Sequence, residues 1–173
     1  MDDVIGSLKI AIWQTGSADL ARLREQALAS ASAGARLLVT PEAFTSGYAV
    51  PGLHQVAQPA AGAWAEEVAT IAAVSGLAIL YGYPERVGDQ VFNSAQLIDQ
   101  DGSALANYRK SHLYGELDTS TFERGTGDFA IVGRLGGFAL GLCRASAEQC
   151  QHQQDAARTG RCFDGHGGTT PIA

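Results

Sequence analysis

The chain has no long apolar run, no cluster of basic residues and no C-x-x-C pair. The first absence argues against a membrane span, which needs about 20 consecutive apolar residues. The start, Met1-Asp2-Asp3, is acidic with no apolar stretch behind it, which argues against a secretory signal and for the cytoplasm. The second absence argues against nucleic acid as a partner, since such proteins carry basic stripes interleaved with aromatics. The net charge is −6, which favours solubility and says little about substrate. The cysteines number only 3, at positions 143, 150 and 162. An odd count without a signal reads as reduced thiols. Cys150, His152, Cys162 and His166 match no zinc spacing, so no metal site is expected there.

What is present is enough for one domain with a sizeable core: 173 residues, 46% of them hydrophobic. Leu8 to Trp13 reads as a buried strand. Asp19 is placed to cap a helix whose apolar face is Leu20, Leu23, Ala27, Leu28 and Ala31, with Gly34 as its stop. Leu37 to Thr40 is a second strand, ended by Pro41. Residues 43–59 mix Gly and Pro without a period and read as loop. An alanine-rich helix follows over 60–75, with Trp64, Val68, Ile71 and Val74 on its stripe and Gly76 closing it. Strands are expected over 77–83, 91–98 and 104–108, the last two joined at Asp101-Gly102. A polar loop over 111–128 leads to a last pair of strands, 130–132 and 138–142. The order βαβαβ followed by hairpins gives a mixed α/β class with helices packed on sheet.

Three strand ends present chemistry. One finishes at Thr40-Pro41-Glu42, one at Tyr108-Arg109-Lys110 and one at Gly141-Leu142-Cys143. A carboxylate, an ammonium and a thiol are a general base, an oxyanion partner and a nucleophile, the parts needed for covalent hydrolysis of an acyl compound. Each also has a plain reading. Glu42 is a solvated loop carboxylate, Lys110 a solvated strand-end lysine, and Cys143 a small apolar filler of its strand. Asp118 and Glu116 are loop charges, His112 makes a structural hydrogen bond, and Tyr48 lines a pocket or packs.

After Cys143 the composition changes. Residues 144–173 contain no Leu and no Val, and Phe163 and Ile172 are the only large aliphatic or aromatic side chains. Such a segment buries too little apolar surface to offset its ordering entropy. The expected organisation is therefore a folded domain over 1–143 and a disordered tail over 144–173.

The stretches P-E-A-F-T-S-G-Y (41–48), V-F-N-S-A-Q-L-I-D-Q-D-G (91–102) and Y-R-K-S-H-L-Y-G (108–115) resemble the carbon–nitrogen hydrolase family, the nitrilase superfamily. The loop E-L-D-T-S-T-F-E-R-G is most similar to the branch that acts on small aliphatic amides. The resemblance covers Leu8 to about Leu142. It implies a four-layer αββα sandwich, usually paired into dimers or larger assemblies, and a Glu-Lys-Cys triad acting without cofactor on a small amide or nitrile. Glu42 matches the family base and Lys110 the family lysine. A second family carboxylate matches Asp118 by its distance to Gly125, with Glu116 as the alternative.

Two departures accompany the resemblance. Relative to Gly141, Cys143 stands two positions earlier than the family cysteine, roughly 6–7 Å along a strand. The elements that the family places after its cysteine have no counterpart here, and such an abrupt break is the pattern of a truncated or frame-shifted chain. The two functional expectations are a small-amide hydrolase and, as the alternative, an inactive fragment able at most to associate with a partner.

Overall fold

The structure is a computed structural model that describes residues 7–16, 19–47, 52–126, 130–135, 138–142, 161–163 and 169–171, the last four ranges as backbone. The chain divides into two units, Met1–Leu142 and Cys143–Ala173.

In the first unit the element order is β1 (Ile10–Ile12), α1 (Leu20–Ser32), β2 (Leu37–Val39), α2 (Leu53–Val56), α3 (Ala63–Ser75), β3 (Ala78–Val87), β4 (Gln90–Ile98), β5 (Ala104–Arg109), α4 (Gly115–Thr121), β6 (Ala130–Leu135) and β7 (Phe138–Leu142). Strands β1 to β5 form one sheet in sequence order. The pairs β1–β2 and β2–β3 are parallel, each joined through a helix, and β3–β4–β5 is an antiparallel meander. Strands β6 and β7 form a separate antiparallel pair. In the second unit, Arg161–Phe163 (β8) pairs antiparallel with Thr169–Pro171 (β9). The mixed α/β class expected from the pattern is the observed one.

Helix α1 begins where Asp19 Oδ1 accepts the backbone N–H groups of Ala21 and Arg22, at 2.9 and 3.2 Å. Helix α3 ends at Gly76, whose φ of 64° is the left-handed conformation that a side chain disfavours. The two helices pack on each other and on one face of the sheet. Leu23, Ala27, Val68, Ile71 and Ala72 meet Leu38, Ile79, Tyr81 and Ile98 in a single buried cluster. Four positions expected to be buried are corrected: Leu28 and Val74 are exposed, and so are Ile10 and Ile12 of β1, the edge strand of the sheet. Leu28 lies about 100° round the helix from Ala27, and Val74 falls outside the 68-71-72-75 stripe.

Strand β3 runs four residues further than expected, through Pro84 to Val87. Proline is tolerated there because β2 has already ended on that side. Gln58 replaces it, donating to Pro84 O at 3.1 Å and accepting from the Arg86 N–H at 2.9 Å. The loop expected over 43–59 contains α2, and that over 111–128 contains α4. Both helices are one or two turns long, too short to show an apolar period in sequence.

Strand alternation gives the sheet two unlike faces. Tyr81, Tyr83 and Glu85 of β3 share a face with Ser94 and Gln96 of β4 and with Asn107 and Arg109 of β5, the face that carries α1 and α3. Gly82 and Asn93 belong to the opposite face, as does Lys110 just beyond β5.

Candidate active site

Glu42 stands on a tight turn directly after β2. The turn closes through Ser46 and Gly47 N–H groups donating to Ala43 O at 3.1 and 2.8 Å, and Ala43 has φ of 51°. A left-handed alanine is strained and persists only where its surroundings enforce it. Two contacts do so here. Phe44 is buried between Trp13 and Trp64, with ring centroids at 5.5 and 6.0 Å. The turn backbone also lies directly on Gly82, where a Cβ would come within 2.7 Å of Ala43 N and Pro41 O and 2.9 Å of Glu42 Cα.

Lys110 is held on both sides by backbone. Its N–H donates to Asn93 O at 2.8 Å, and its carbonyl accepts from Gly125 N–H at 3.0 Å. The returning chain is tied to β4 as well, since Glu123 N–H donates to Val91 O at 2.7 Å. Glycine is required at 125 because a Cβ there would meet Arg109 O at 2.3 Å. Phe122 anchors this return in a cluster with Leu53, Ala57 and Val91.

These constraints bring three of the expected residues together. Lys110 Nζ donates to Glu42 Oε1 at 2.8 Å and to Asp118 Oδ2 at 2.7 Å. Asp118 is fully buried, Lys110 is 21% exposed and Glu42 is 49% exposed. The ammonium is thus fixed from below by a buried carboxylate and offers its other side to an accessible one. Asp118 Oδ2 also accepts the Tyr114 N–H at 2.9 Å, so the carboxylate holds the start of its own helix. Glu116, the other carboxylate that the sequence offered, is exposed. His112 Nδ1 lies 3.0 Å from Ser111 Oγ. Cys143, Tyr48 and the side chains of Cys150, His152, Cys162 and His166 lie outside the described residues. Among the described residues no group of three or more His, Cys, Asp and Glu is placed to hold a metal ion, and no helix is long and apolar enough to cross a membrane.

A second polar group, on the helix face of the sheet, was not foreseen. Glu85 is 1% exposed. Its Oε2 accepts from Ser94 Oγ at 2.7 Å, Asn107 Nδ2 at 2.8 Å and Arg109 Nε at 2.9 Å, and its Oε1 accepts from Arg109 Nη2 at 2.6 Å. Burial pushes the Glu85 carboxyl up. The hydrogen bonds from Arg109, Ser94 and Asn107, with the Arg109 charge, outweigh it and hold the group below its ordinary value. Burial and the nearby Glu85 charge push the Tyr81 and Tyr83 phenols up, so both stay protonated as donors, Tyr83 to Asn107 Oδ1 at 2.8 Å and Tyr81 to Gln96 Oε1. Asn93 is also new, donating to Glu42 Oε1 at 2.6 Å. The signal for both was present in β4: Asn93, Ser94 and Gln96 are polar residues inside an otherwise apolar central strand, and buried polar groups need partners.

A partly exposed carboxylate beside an immobilised ammonium can accept a proton and stabilise a developing oxyanion. The chain is similar in sequence and in fold to known proteins. A hydrolase in the pqqF 5′ region of Pseudomonas protegens is 43% identical over 148 residues, covering 80% of this chain and 50% of that protein. The chloroplastic omega-amidase of Arabidopsis thaliana is 26% identical over 153 residues, covering 80% of this chain and 42% of that one. Among solved structures, a glutamate-to-glutamine variant of the amidase from Nesterenkonia sp. AN1 superposes with a TM-score of 0.68 at 28% identity, covering 79% of this chain and 54% of that one. In that structure the acetamide moiety of fluoroacetamide is covalently added at the active site cysteine. The chain spans about half the length of the curated relatives it matches. Its fold is nitrilase-like, and with the carbon–nitrogen hydrolase model matching residues 5–153, the chain belongs to the carbon–nitrogen hydrolase family.

Proposed function

We propose that the chain carries the catalytic group of a small-amide hydrolase, with Glu42 as general base, Lys110 as oxyanion partner, Asp118 as the carboxylate that holds Lys110, and Cys143 as nucleophile. The observation that carries this reading is the placement of Lys110 Nζ between Glu42 Oε1 and Asp118 Oδ2, one partner accessible and the other fully buried. A lysine used only for solubility is not held at both ends in this way. The acetamide adduct at the active site cysteine of the Nesterenkonia amidase supports a thiol as the nucleophile.

The steps balance with these groups alone. Glu42 takes the Cys143 thiol proton, and the thiolate sulfur bonds to the amide carbon. The carbonyl electron pair moves to oxygen, where Lys110 stabilises it. The tetrahedral species collapses, the C–N bond breaks, and ammonia leaves with the proton from Glu42. Water then attacks the thioester, its proton going to Glu42, and the acid departs as the thiol is restored.

The test is ammonia release from a series of short aliphatic amides, run beside iodoacetamide labelling of the three cysteines. The expected outcome is turnover by the wild type, loss of turnover in Glu42→Gln, and labelling of Cys143 ahead of Cys150 and Cys162. Absence of ammonia release with equal labelling at all three cysteines would overturn the reading and leave a non-catalytic family member.

A further inference from the structure

We propose that Asn93 is a positioning residue that clamps Glu42 by one oxygen and thereby selects the other as the proton acceptor, a proposal that rests on the reading of Glu42 as the base. Asn93 is 4% exposed and contacts both halves of the pair. Its side-chain Nδ2 donates to Glu42 Oε1 at 2.6 Å, and its backbone carbonyl accepts the Lys110 N–H at 2.8 Å. One residue of β4 therefore ties together a turn and a strand end separated by 68 positions in sequence.

The two oxygens of Glu42 are not equivalent. Oε1 accepts from both Asn93 Nδ2 and Lys110 Nζ. Among the described residues nothing donates to Oε2, and the side chain is 49% exposed. Two donors occupy the lone pairs of Oε1, so a proton arriving from a thiol or water goes to Oε2. Lysine alone does not achieve this, because an ammonium, even held in place, is a point charge with three rotatable donors and imposes no plane on the carboxylate. A buried amide on a central strand has no such freedom, and its plane sets the rotation of the carboxylate. Asp118 accepts from Lys110 Nζ at 2.7 Å, while Glu85 and Arg109 occupy the opposite face of the sheet.

The experiment uses the full chain with carbon-13 in its glutamate carboxyls, the Glu42 signal being assigned from Glu42→Gln. In Asn93→Asp, a near-isosteric change, an oxygen replaces the donor beside Oε1. The Glu42 carboxyl signal should then move from its wild-type position, as the carboxylate turns Oε1 away from an oxygen that no longer donates. In Asn93→Ser, whose hydroxyl is too short to reach, the Glu42 carboxyl signal should broaden or split as the group samples several rotations. Circular dichroism confirms the fold of each variant. In parallel, the iodoacetamide rate at Cys143 should fall roughly tenfold in Asn93→Ser, as expected when a base loses its aim. A Glu42 carboxyl signal unchanged in position and line shape in both variants would overturn the proposal. If Cys143 in the wild type labels no faster than the other cysteines, the pairing of Glu42 with that thiol fails. The carboxyl spectrum then still decides whether Asn93 positions Glu42.

Discussion

Replacing Glu85 by glutamine isolates the charge of the most buried carboxylate on the helix face. Shape is nearly preserved, so no cavity term enters. The amide oxygen is best placed at the Oε2 position, where it can keep the donors Ser94 Oγ, Asn107 Nδ2 and Arg109 Nε. The amide nitrogen then sits at the Oε1 position and faces Arg109 Nη2, another donor, across a distance that is 2.6 Å in the wild type. One charge-assisted hydrogen bond is lost and replaced by a donor–donor contact, and the second bond to Arg109 loses its charge. Breaking a buried pair on one side costs about 3–5 kcal/mol when the other charge is stranded. Arg109 is 40% exposed and can rehydrate, so about 2–3 kcal/mol is expected near neutral pH.

The pH dependence has a definite sign. The folded state holds the Glu85 carboxyl below its ordinary value of 4.5, so its contribution is present above that value and is lost as the pH falls through the depressed folded value. The two proteins should converge on acidification, because a protonated glutamate resembles glutamine. The assay is urea denaturation followed by the fluorescence of Trp13 and Trp64, both packed against Phe44 in the helix-side core. A difference below about 0.5 kcal/mol near neutral pH, the scale of an ordinary surface substitution, would refute the argument. So would a difference that widens as the pH falls.

Two further substitutions test how the site is positioned. Gly82→Ala places a methyl 2.7 Å from the backbone of Pro41 and Ala43, atoms that cannot rotate away, so the Glu42 turn must move. The expected cost is about 1–3 kcal/mol with faster amide exchange at Thr45, whose N–H donates to Gly82 O, and unchanged stability would contradict the packing described. Gly125→Ala drives a methyl into Arg109 O and should break the Gly125-to-Lys110 hydrogen bond. The exchange rate of the Gly125 amide should rise well above that of Lys110 on the β4 side, and equal protection of both would show that the return loop does not brace the lysine.

Much of the scaffold was legible in the chain itself. Period 3.6 marked α1 and α3, apolar runs bounded by Gly and Pro marked the strands, and Asp19 and Gly76 marked helix ends, because these signals are local and act within one turn. The strand-end positions of Glu42 and Lys110 and the motif resemblance pointed to the same chemistry. The short helices α2 and α4 were not legible, since they are held by Leu53 and Phe122 packing rather than by a period. Which of Asp118 and Glu116 stands against Lys110 is set only by tertiary structure. The two residues stand on the same short helix, and only the folded chain shows which of them is buried against Lys110. The same holds for Asn93, Gly82 and Gly125. Each acts through a contact with residues distant in sequence, and distance through space is the quantity that composition and spacing do not encode. The order of the strands followed from local pattern, while the clamp on Glu42 followed from which face of β4 meets the turn after β2.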